Sequence, residues 1–347
     1  MTMSLFQQLL TNGSELGFQF CVIRHGRELV HFAGGRMSPH GPEVTRESLF
    51  PVFSVTKGIT AILVHQCIDR GWLNVEEPVA KHWPGFAAGG KEHITLREVL
   101  HHVAGIPNLP PGITVREVLD WEGMGQIVAS LQPVHQGRFQ YHAWTFGWPV
   151  REVLERATGR SFQTLLRELL LEPLQLTGAL YIGCPAEVAA CVAKVVEPDI
   201  TEADWARPFE EVIPMEIASR RLGYFFNYPP VLEVANPAGS GVASARALAT
   251  CYAALLPESR LVFESRWKAI LRWETCTTLE GTPERCSLGF RWRQVEIGGR
   301  LYDAFGHSGY GGSIGLAIPE LGVGVGYTRN AFYAQPSLLQ LLNAVLG

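Results

Sequence analysis

Ser54-Val55-Thr56-Lys57 places a hydroxyl and an amine three residues apart at what reads as the start of a helix, where side chains at i and i+3 share a face. A serine hydroxyl attacks effectively only when a neighbouring base takes its proton. A lysine serves as that base if burial lowers its pKa, because desolvation disfavours the ammonium. The helix start also aims unpaired backbone N–H groups at the same spot, which suits a developing oxyanion. The spacing alone is common, and the chain holds a second copy, Ser265-Arg266-Trp267-Lys268. Context separates the two. Ser54 follows the apolar run 49–53 and opens a long apolar segment. Ser265 sits in a charged stretch with too little chain behind it for further motifs, so Ser265 and Lys268 read as exposed helix surface.

The elements that must position Ser54 and Lys57 follow from hydrophobic spacing and turn residues. Apolar runs 18–23 and 29–32, split by His25-Gly26-Arg27 and ending at Gly34-Gly35, predict a strand–turn–strand hairpin. Residues 56–70 predict a helix closed by Gly71. Helical spacing then recurs over 96–101, 115–119, 125–131, 148–157 and 162–171, with Thr95 at capping-box distance from Glu98 and Gly159 as a stop. A loop-rich stretch over 229–241 leads into a helix over 243–256. Short apolar or alternating runs at 287–294, 301–305, 313–319 and 322–327, parted by glycines, predict an antiparallel sheet. Short helices are expected at 4–10 and 337–346. Strands at both ends with helices between predict an α+β fold, an antiparallel sheet flanked by helices with an all-helical lobe inserted. The single unit 1–347 then divides into an α/β lobe, about 1–60 and 240–347, and a helical lobe, about 61–239.

Composition narrows the function. The 347 residues are 47% hydrophobic and 18% charged with net charge −4, which fits a folded globular chain and lacks the basic footprint of a nucleic-acid binder. No Lys or Arg precedes Arg24 and no apolar run nears the ~20 residues of a membrane span, so a cytoplasmic protein with no membrane or nucleic-acid partner is expected. Seven scattered cysteines without a CxxC pair read as free thiols. Cys276 and Cys286 are placed to meet across a hairpin, with no disulfide expected. Gly311-Gly312-Ser313-Ile314-Gly315 matches a Gly-x-Ser-x-Gly elbow, but no histidine follows His307 to serve it, so Ser313 reads as a tight strand connection. His82, His93, His101 and His102 lack metallohydrolase spacing.

Two further motifs stand later in the chain, Tyr141-His142-Ala143 and His307-Ser308-Gly309. With Phe53-Ser54-Val55-Thr56-Lys57-Gly58 ahead of them, the order resembles that of the serine β-lactamase/penicillin-binding-protein-like superfamily: class C β-lactamases, D-Ala-D-Ala peptidases and, closest, family VIII carboxylesterases. Connecting segments resemble the family as well. They are Gly71 to Val79, Leu96 to Pro107, Gly147 to Gly159 and Gly239 to Ala249. The resemblance covers nearly the whole chain. It implies a β-lactamase/transpeptidase-like fold with Ser54 as nucleophile and Lys57 and Tyr141 sharing the general-base work. Tyr141 would return the proton to the leaving group and then activate water or an acceptor alcohol. The backbone N–H groups of Ser54 and Tyr310 would form the oxyanion hole, and no metal or organic cofactor is needed.

Two departures shift the expected substrate. Ala143 replaces the Asn that can hydrogen-bond an acylamino group in class C enzymes. His307 replaces the Lys of their Lys-Thr-Gly motif, so a fixed cation becomes a group only partly charged near pH 7. Tyr-His-Ala and His-x-Gly look like the motifs of family VIII esterases and related acyl transferases. A small uncharged ester with an apolar acyl group is therefore expected as substrate. Acyl transfer, D-aminoacyl peptidase or weak β-lactamase activity, and an inactive scaffold are the alternatives; retention of Ser54, Lys57 and Tyr141 argues against the scaffold. His307, Ser308, Gly309, His142 and Trp144 are the candidate substrate contacts. Phe146, Trp148, Tyr224, Phe225, Phe226 and Tyr310 are available either to line an apolar pocket or to pack the core. His101 and His102 match a family position read as structural, and Val103-Ala104 replaces its usual Thr-Ser.

Overall fold

The computed structural model describes residues 2–197, 215, 221–257, 269–332 and 334–347. Ser265 and Lys268 lie outside the described residues. The described strands are β1 (Gly17–Arg24), β2 (Arg27–Gly35), β3 (Phe50–Phe53), β4 (Leu180–Ile182), β5 (Gly241–Ala243), β6 (Glu274–Thr277), β7 (Pro283–Ser287), β8 (Phe290–Ile297), β9 (Arg300–Ser308), β10 (Ile314–Ile318) and β11 (Val323–Arg329). Eight of them form one sheet in the order β2-β1-β11-β10-β9-β8-β7-β6. Every pairing in it is antiparallel.

The first hairpin turns as expected on His25 and Gly26, both left-handed at φ 48 and φ 72, which is what a two-residue type I′ turn requires. β1 then pairs with β11, Phe18 opposite Arg329, so the first and last strands of the chain to enter the sheet meet one strand in from its β2 edge. Glu15 and Arg329 fasten that junction with a buried ion pair at 2.8 Å. One sheet face is covered by the helices Thr2–Thr11 and Leu338–Leu346, whose Phe6, Leu9, Leu341 and Leu342 pack on Phe18, Phe20, Leu316 and Val325. Each such side chain contributes about 1.5–3 kcal/mol by leaving water. The helix Ala245–Ala253 lies on the other face against β11. It approaches so closely that a Cβ on Gly326 would stand 1.9 Å from the Ala245 carbonyl. The helix Val55–Asp69 runs through the core behind it, and every residue from Val55 to Cys67 is buried.

The helical part largely follows its spacing. The helices Leu96–Leu100, Val115–Leu119, Gly147–Thr158 and Phe162–Leu166 fall where expected. Thr95 and Glu98 make both bonds of the capping box, and Gly159 closes its helix at φ 65. The segment expected over 125–131 begins earlier, as Trp121–Ser130, because the Asp120 carboxylate accepts the Gly123 N–H and caps it there. Buried Lys91 donates to the carbonyls of Ala88, Ala129 and Leu131, two of which end that helix, where a basic group complements the helix dipole. Among the described residues, no helix is long and apolar enough to cross a membrane.

Two features go beyond the expected sheet, although the hairpin of Cys276 and Cys286 was foreseen. A small sheet, β3-β5-β4, is separate from the large one; its strands of three and four residues, all buried but half-buried Tyr181, are too short for a period to reveal them. The large sheet also extends through β6 and β7, charged and half-exposed strands at its edge. The run expected over 287–294 thereby shifts to Phe290–Ile297.

Candidate active site

β3 ends at Phe53, which is left-handed at φ 48. Such a backbone costs a non-glycine residue about 1–3 kcal/mol and persists only when its surroundings hold it. Here Thr56 holds it. Its hydroxyl donates to the Phe53 carbonyl and accepts the Gly241 N–H at 2.9 Å. The sharp bend leaves Ser54 at the cap of the helix Val55–Asp69, its side chain not used for capping. The hydroxyl is thus free to face the first helical turn.

Lys57 is fully buried. Its Nζ lies 3.1 Å from Ser54 Oγ and donates to the carbonyls of Ala143 at 2.8 Å and Ala238 at 2.7 Å. Burial holds its pKa well below that of an ordinary lysine. A neutral amine has two N–H bonds and one lone pair. In that form the two carbonyls would take the N–H bonds and the lone pair would face Ser54 Oγ. Nζ also sits 5.0 Å from the centre of the Tyr141 ring.

Tyr141 rides on a loop stitched to neighbouring main chain. Phe139 donates its N–H to Thr277 and Gln140 its N–H to His102, each at 2.9 Å. The Tyr141 hydroxyl is buried with no hydrogen-bond partner of good geometry. Burial pushes its pKa up to about 12, opposed by its proximity to Ser54. The phenol therefore stays protonated at neutral pH while pointing into the Ser54–Lys57 cluster.

His142 corrects the expectation of a substrate contact. It is fully buried. Its Nδ1–H donates to the Gln140 carbonyl at 2.6 Å, and its Nε2 accepts the Ile106 N–H at 3.0 Å. Its own N–H donates to His102 Nδ1 at 3.2 Å. Burial pushes its pKa down to about 4, so both imidazoles act as neutral struts under Tyr141. His102 also packs on the Tyr141 ring at 4.7 Å. His101 is structural as expected, accepting the Leu288 N–H at 3.0 Å.

β9 brings the third motif alongside. The His307 Nδ1–H donates to the Ser308 carbonyl at 2.8 Å, which leaves Nε2 as a lone-pair acceptor, buried and unpartnered. Burial holds its pKa well below that of an ordinary histidine. The ring centre is 6.0 Å from that of Tyr141. Ser308 accepts from Arg293 at 3.3 Å. At Gly309 a Cβ would come within 2.3 Å of the Val52 carbonyl, so only glycine lets β9 press on β3 beside Ser54. Tyr310 follows, its ring half-exposed and 5.9 Å from that of Phe53.

The aromatics divide. Half-buried Trp144 contacts Phe225 at 5.4 Å and Phe226 at 6.0 Å. Phe226 packs on Phe53 at 4.2 Å, and Phe332, not foreseen, joins Phe53 at 5.4 Å and Tyr310 at 5.6 Å. These rings form one aromatic cluster that includes Phe53, the residue before Ser54. Phe146 and Trp148 are wholly buried and pack the core. The side chain of Tyr224 lies outside the described part. Ser313 is buried and accepts the Arg329 N–H at 3.2 Å, consistent with a strand connection.

Comparison with known proteins agrees with this architecture. Over 308 residues the chain is 34% identical to "Esterase/beta-lactamase LipL" of Mycobacterium tuberculosis (strain ATCC 25618 / H37Rv), covering 80% of this chain and 68% of that protein. Its structure matches that of a family VIII carboxylesterase with TM-score 0.84 and 27% identity, over 99% of this chain and 95% of the other. A penicillin-binding protein homologue from Caulobacter crescentus matches with TM-score 0.79 and 28% identity, over 99% and 95% of the two chains. The family profile described as "Beta-lactamase" matches residues 3–345, and the chain belongs to that family of serine hydrolases.

Proposed function

We propose that this chain is a carboxylesterase that cleaves small uncharged esters with apolar acyl groups through an acyl-enzyme on Ser54. The observation that carries the reading is the environment of Lys57, a fully buried amine whose N–H bonds are taken by two carbonyls and whose third neighbour, at 3.1 Å, is Ser54 Oγ. Neutral Lys57 takes the Ser54 proton as Oγ attacks the ester carbonyl. The oxyanion forms against the backbone N–H groups of Ser54 and Tyr310. Tyr141 gives its phenolic proton to the leaving alkoxide, is reprotonated from Lys57, and in the second half of the cycle the same groups deprotonate the water that releases the acid.

His307 supports the preference for uncharged substrates. A neutral ring presenting a lone pair repels a substrate carboxylate, where a lysine would hold one. The aromatic cluster of Trp144, Phe226, Phe53, Tyr310 and Phe332 favours an apolar acyl or alcohol group. The relatives named as esterases point the same way. The free thiols of the described structure fit a reducing compartment such as the cytoplasm.

The test is turnover of p-nitrophenyl esters from acetate to octanoate by the protein and its Ser54→Ala variant, with nitrocefin in parallel. Ester hydrolysis that depends on Ser54 and outpaces nitrocefin is expected. Faster nitrocefin turnover overturns the substrate assignment. Acceleration of product release by added alcohol, with ester formed in place of acid, would make the chain an acyl transferase.

A further inference from the structure

We propose that Cys276 and Cys286 are a redox-active thiol pair, closed to a disulfide by a hydroperoxide, and that closure adjusts the loop carrying Tyr141. The second half rests on the catalytic reading of Tyr141; the first stands without it.

The two residues lie on neighbouring edge strands. In the β6–β7 register Glu274 faces Cys286 and Cys276 faces Glu284. Residues opposite each other, and those two apart along a strand, project from the same side of a sheet. Cys276 and Cys286 are therefore diagonal neighbours on one face. Cys276 is half-exposed and Cys286 buried. Their mutual interaction lowers the pKa of Cys276 and raises that of Cys286, an arrangement of attacking and resolving sulfur. The other thiols with a resolved shift go the opposite way. Burial pushes Cys21 and Cys67 up to about 12, Cys184 up to about 11, and Cys251 up as well.

The chemistry balances with one equivalent of peroxide. The Cys276 thiolate attacks a peroxide oxygen, the O–O bond breaks, and sulfenic acid and hydroxide (or an alkoxide) result. The Cys286 sulfur then attacks the sulfenic sulfur. The S–S bond forms, the S–O bond breaks, and the departing hydroxide carries off the Cys286 proton as water. The two sulfurs lose two electrons together and the peroxide gains them.

Closure moves backbone. Diagonal residues in a sheet are about 7–8 Å apart, while a disulfide holds its Cα atoms within about 6.8 Å. β6 must therefore draw toward β7 by roughly 1 Å. The residue after Cys276 is Thr277, whose carbonyl accepts the Phe139 N–H two residues before Tyr141. The Tyr141 loop thus hangs from the strand that moves.

The experiment treats the purified full-length chain with hydrogen peroxide, blocks residual thiols and maps tryptic peptides without reduction. Arg285 separates the two cysteines, so a disulfide links the peptide 273–285 to the peptide 286–291. That linked pair is expected, reversed by dithiothreitol and absent in Cys276→Ser and in Cys286→Ser. The rate of fluorophosphonate labelling at Ser54 should fall about tenfold on oxidation, within the hundredfold that a 1 Å misplacement can bring, and recover on reduction. Cys276 ending as sulfinic acid with Cys286 unmodified, or no linked peptide, overturns the thiol pair. Linkage with an unchanged labelling rate overturns the coupling to Tyr141. Absence of labelling in both states counts against the Ser54 reading alone.

Discussion

Gly309→Ala tests how the oxyanion site is assembled. The added Cβ would stand 2.3 Å from the Val52 carbonyl, so β9 and β3 must part by about 0.7 Å merely to reach 3.0 Å, below which such contacts are essentially never seen. The carbonyl belongs to the strand that ends at Phe53, and Tyr310 is the residue after Gly309. The displacement would therefore carry the Tyr310 N–H, the proposed second oxyanion donor, away from Ser54. Losing one oxyanion donor raises the barrier by about 2.7–4 kcal/mol, or about 10²–10³ in kcat. KM should change little, because the donor acts chiefly on charge that develops in the transition state. Overpacking of this kind costs about 1–3 kcal/mol of stability, which an ordinary domain of about 5–15 kcal/mol survives. The assay is kcat and KM on p-nitrophenyl butyrate beside a thermal melt. Gly125→Ala is the control. It lies in the helix Trp121–Ser130, its nearest contact for a Cβ is 3.8 Å away, and it should stabilise by about 0.5–1 kcal/mol with activity unchanged. A folded Gly309→Ala enzyme with kcat within about threefold of the parent would refute the reasoning, since even one weakened donor should exceed that.

Further outcomes follow from the same geometry. His307→Lys restores a cation where the neutral ring stands, and should raise nitrocefin turnover relative to ester turnover by about tenfold or more, a difference of ~1.4 kcal/mol; an unchanged ratio would separate His307 from substrate choice. His142→Phe strands the Ile106 N–H and the Gln140 carbonyl and should cost about 1–3 kcal/mol for each group left unpaired, read as a lowered melting temperature with kcat falling and KM steady; a change in KM alone would restore His142 to the substrate site. The pH profile of kcat/KM should rise on the acid side as the Lys57 ammonium loses its proton, at a pH well below the ordinary lysine value of 10.5 because burial disfavours the charge. Tyr141, pushed up to about 12, stays protonated across that range, and Lys57→Ala should remove the acid limb together with about 10²–10⁴ of the rate. The same shift makes folding less costly as pH rises. Between the lowered Lys57 value and 10.5 the unfolded chain holds the extra proton, so Lys57's contribution to stability grows with pH across that window.

The strand–helix–strand order was legible because β1, β10 and β11 are short, mainly apolar runs closed by glycine-bearing turns, while the helical segments carry caps and stops. His25-Gly26 announces its turn, Thr95 and Glu98 their cap, and the apolar segment after Ser54 its buried helix. β6 and β7 showed only as a hairpin between Cys276 and Cys286 and not as part of the sheet, because an edge strand is half in water, and Glu274, Arg285 and Glu284 blur the alternation. β3, β4 and β5 escaped because three or four mostly buried residues look alike in any backbone. Within the site, Ser54, Lys57 and Tyr141 were visible as residue types at recognisable spacings, and the structure brings them together. The carbonyls of Ala143 and Ala238 were invisible, since every residue has one and only the fold decides which two meet Lys57. Phe332 went unnoticed because an aromatic in the short link after the last strand carries no periodic signal. His142 was misread for a related reason. A histidine beside a candidate catalytic tyrosine looks like a contact, and only its hydrogen bonds show that both nitrogens are spent on main chain.

The most direct measurement is the site of acylation. The protein is mixed with a slowly deacylating p-nitrophenyl ester, quenched in acid within the first turnover and weighed intact, then digested and sequenced by mass spectrometry. The account predicts one acyl group per chain, carried on Ser54 and lost in Ser54→Ala. An acyl group on any other residue, or hydrolysis that persists in Ser54→Ala, would contradict it.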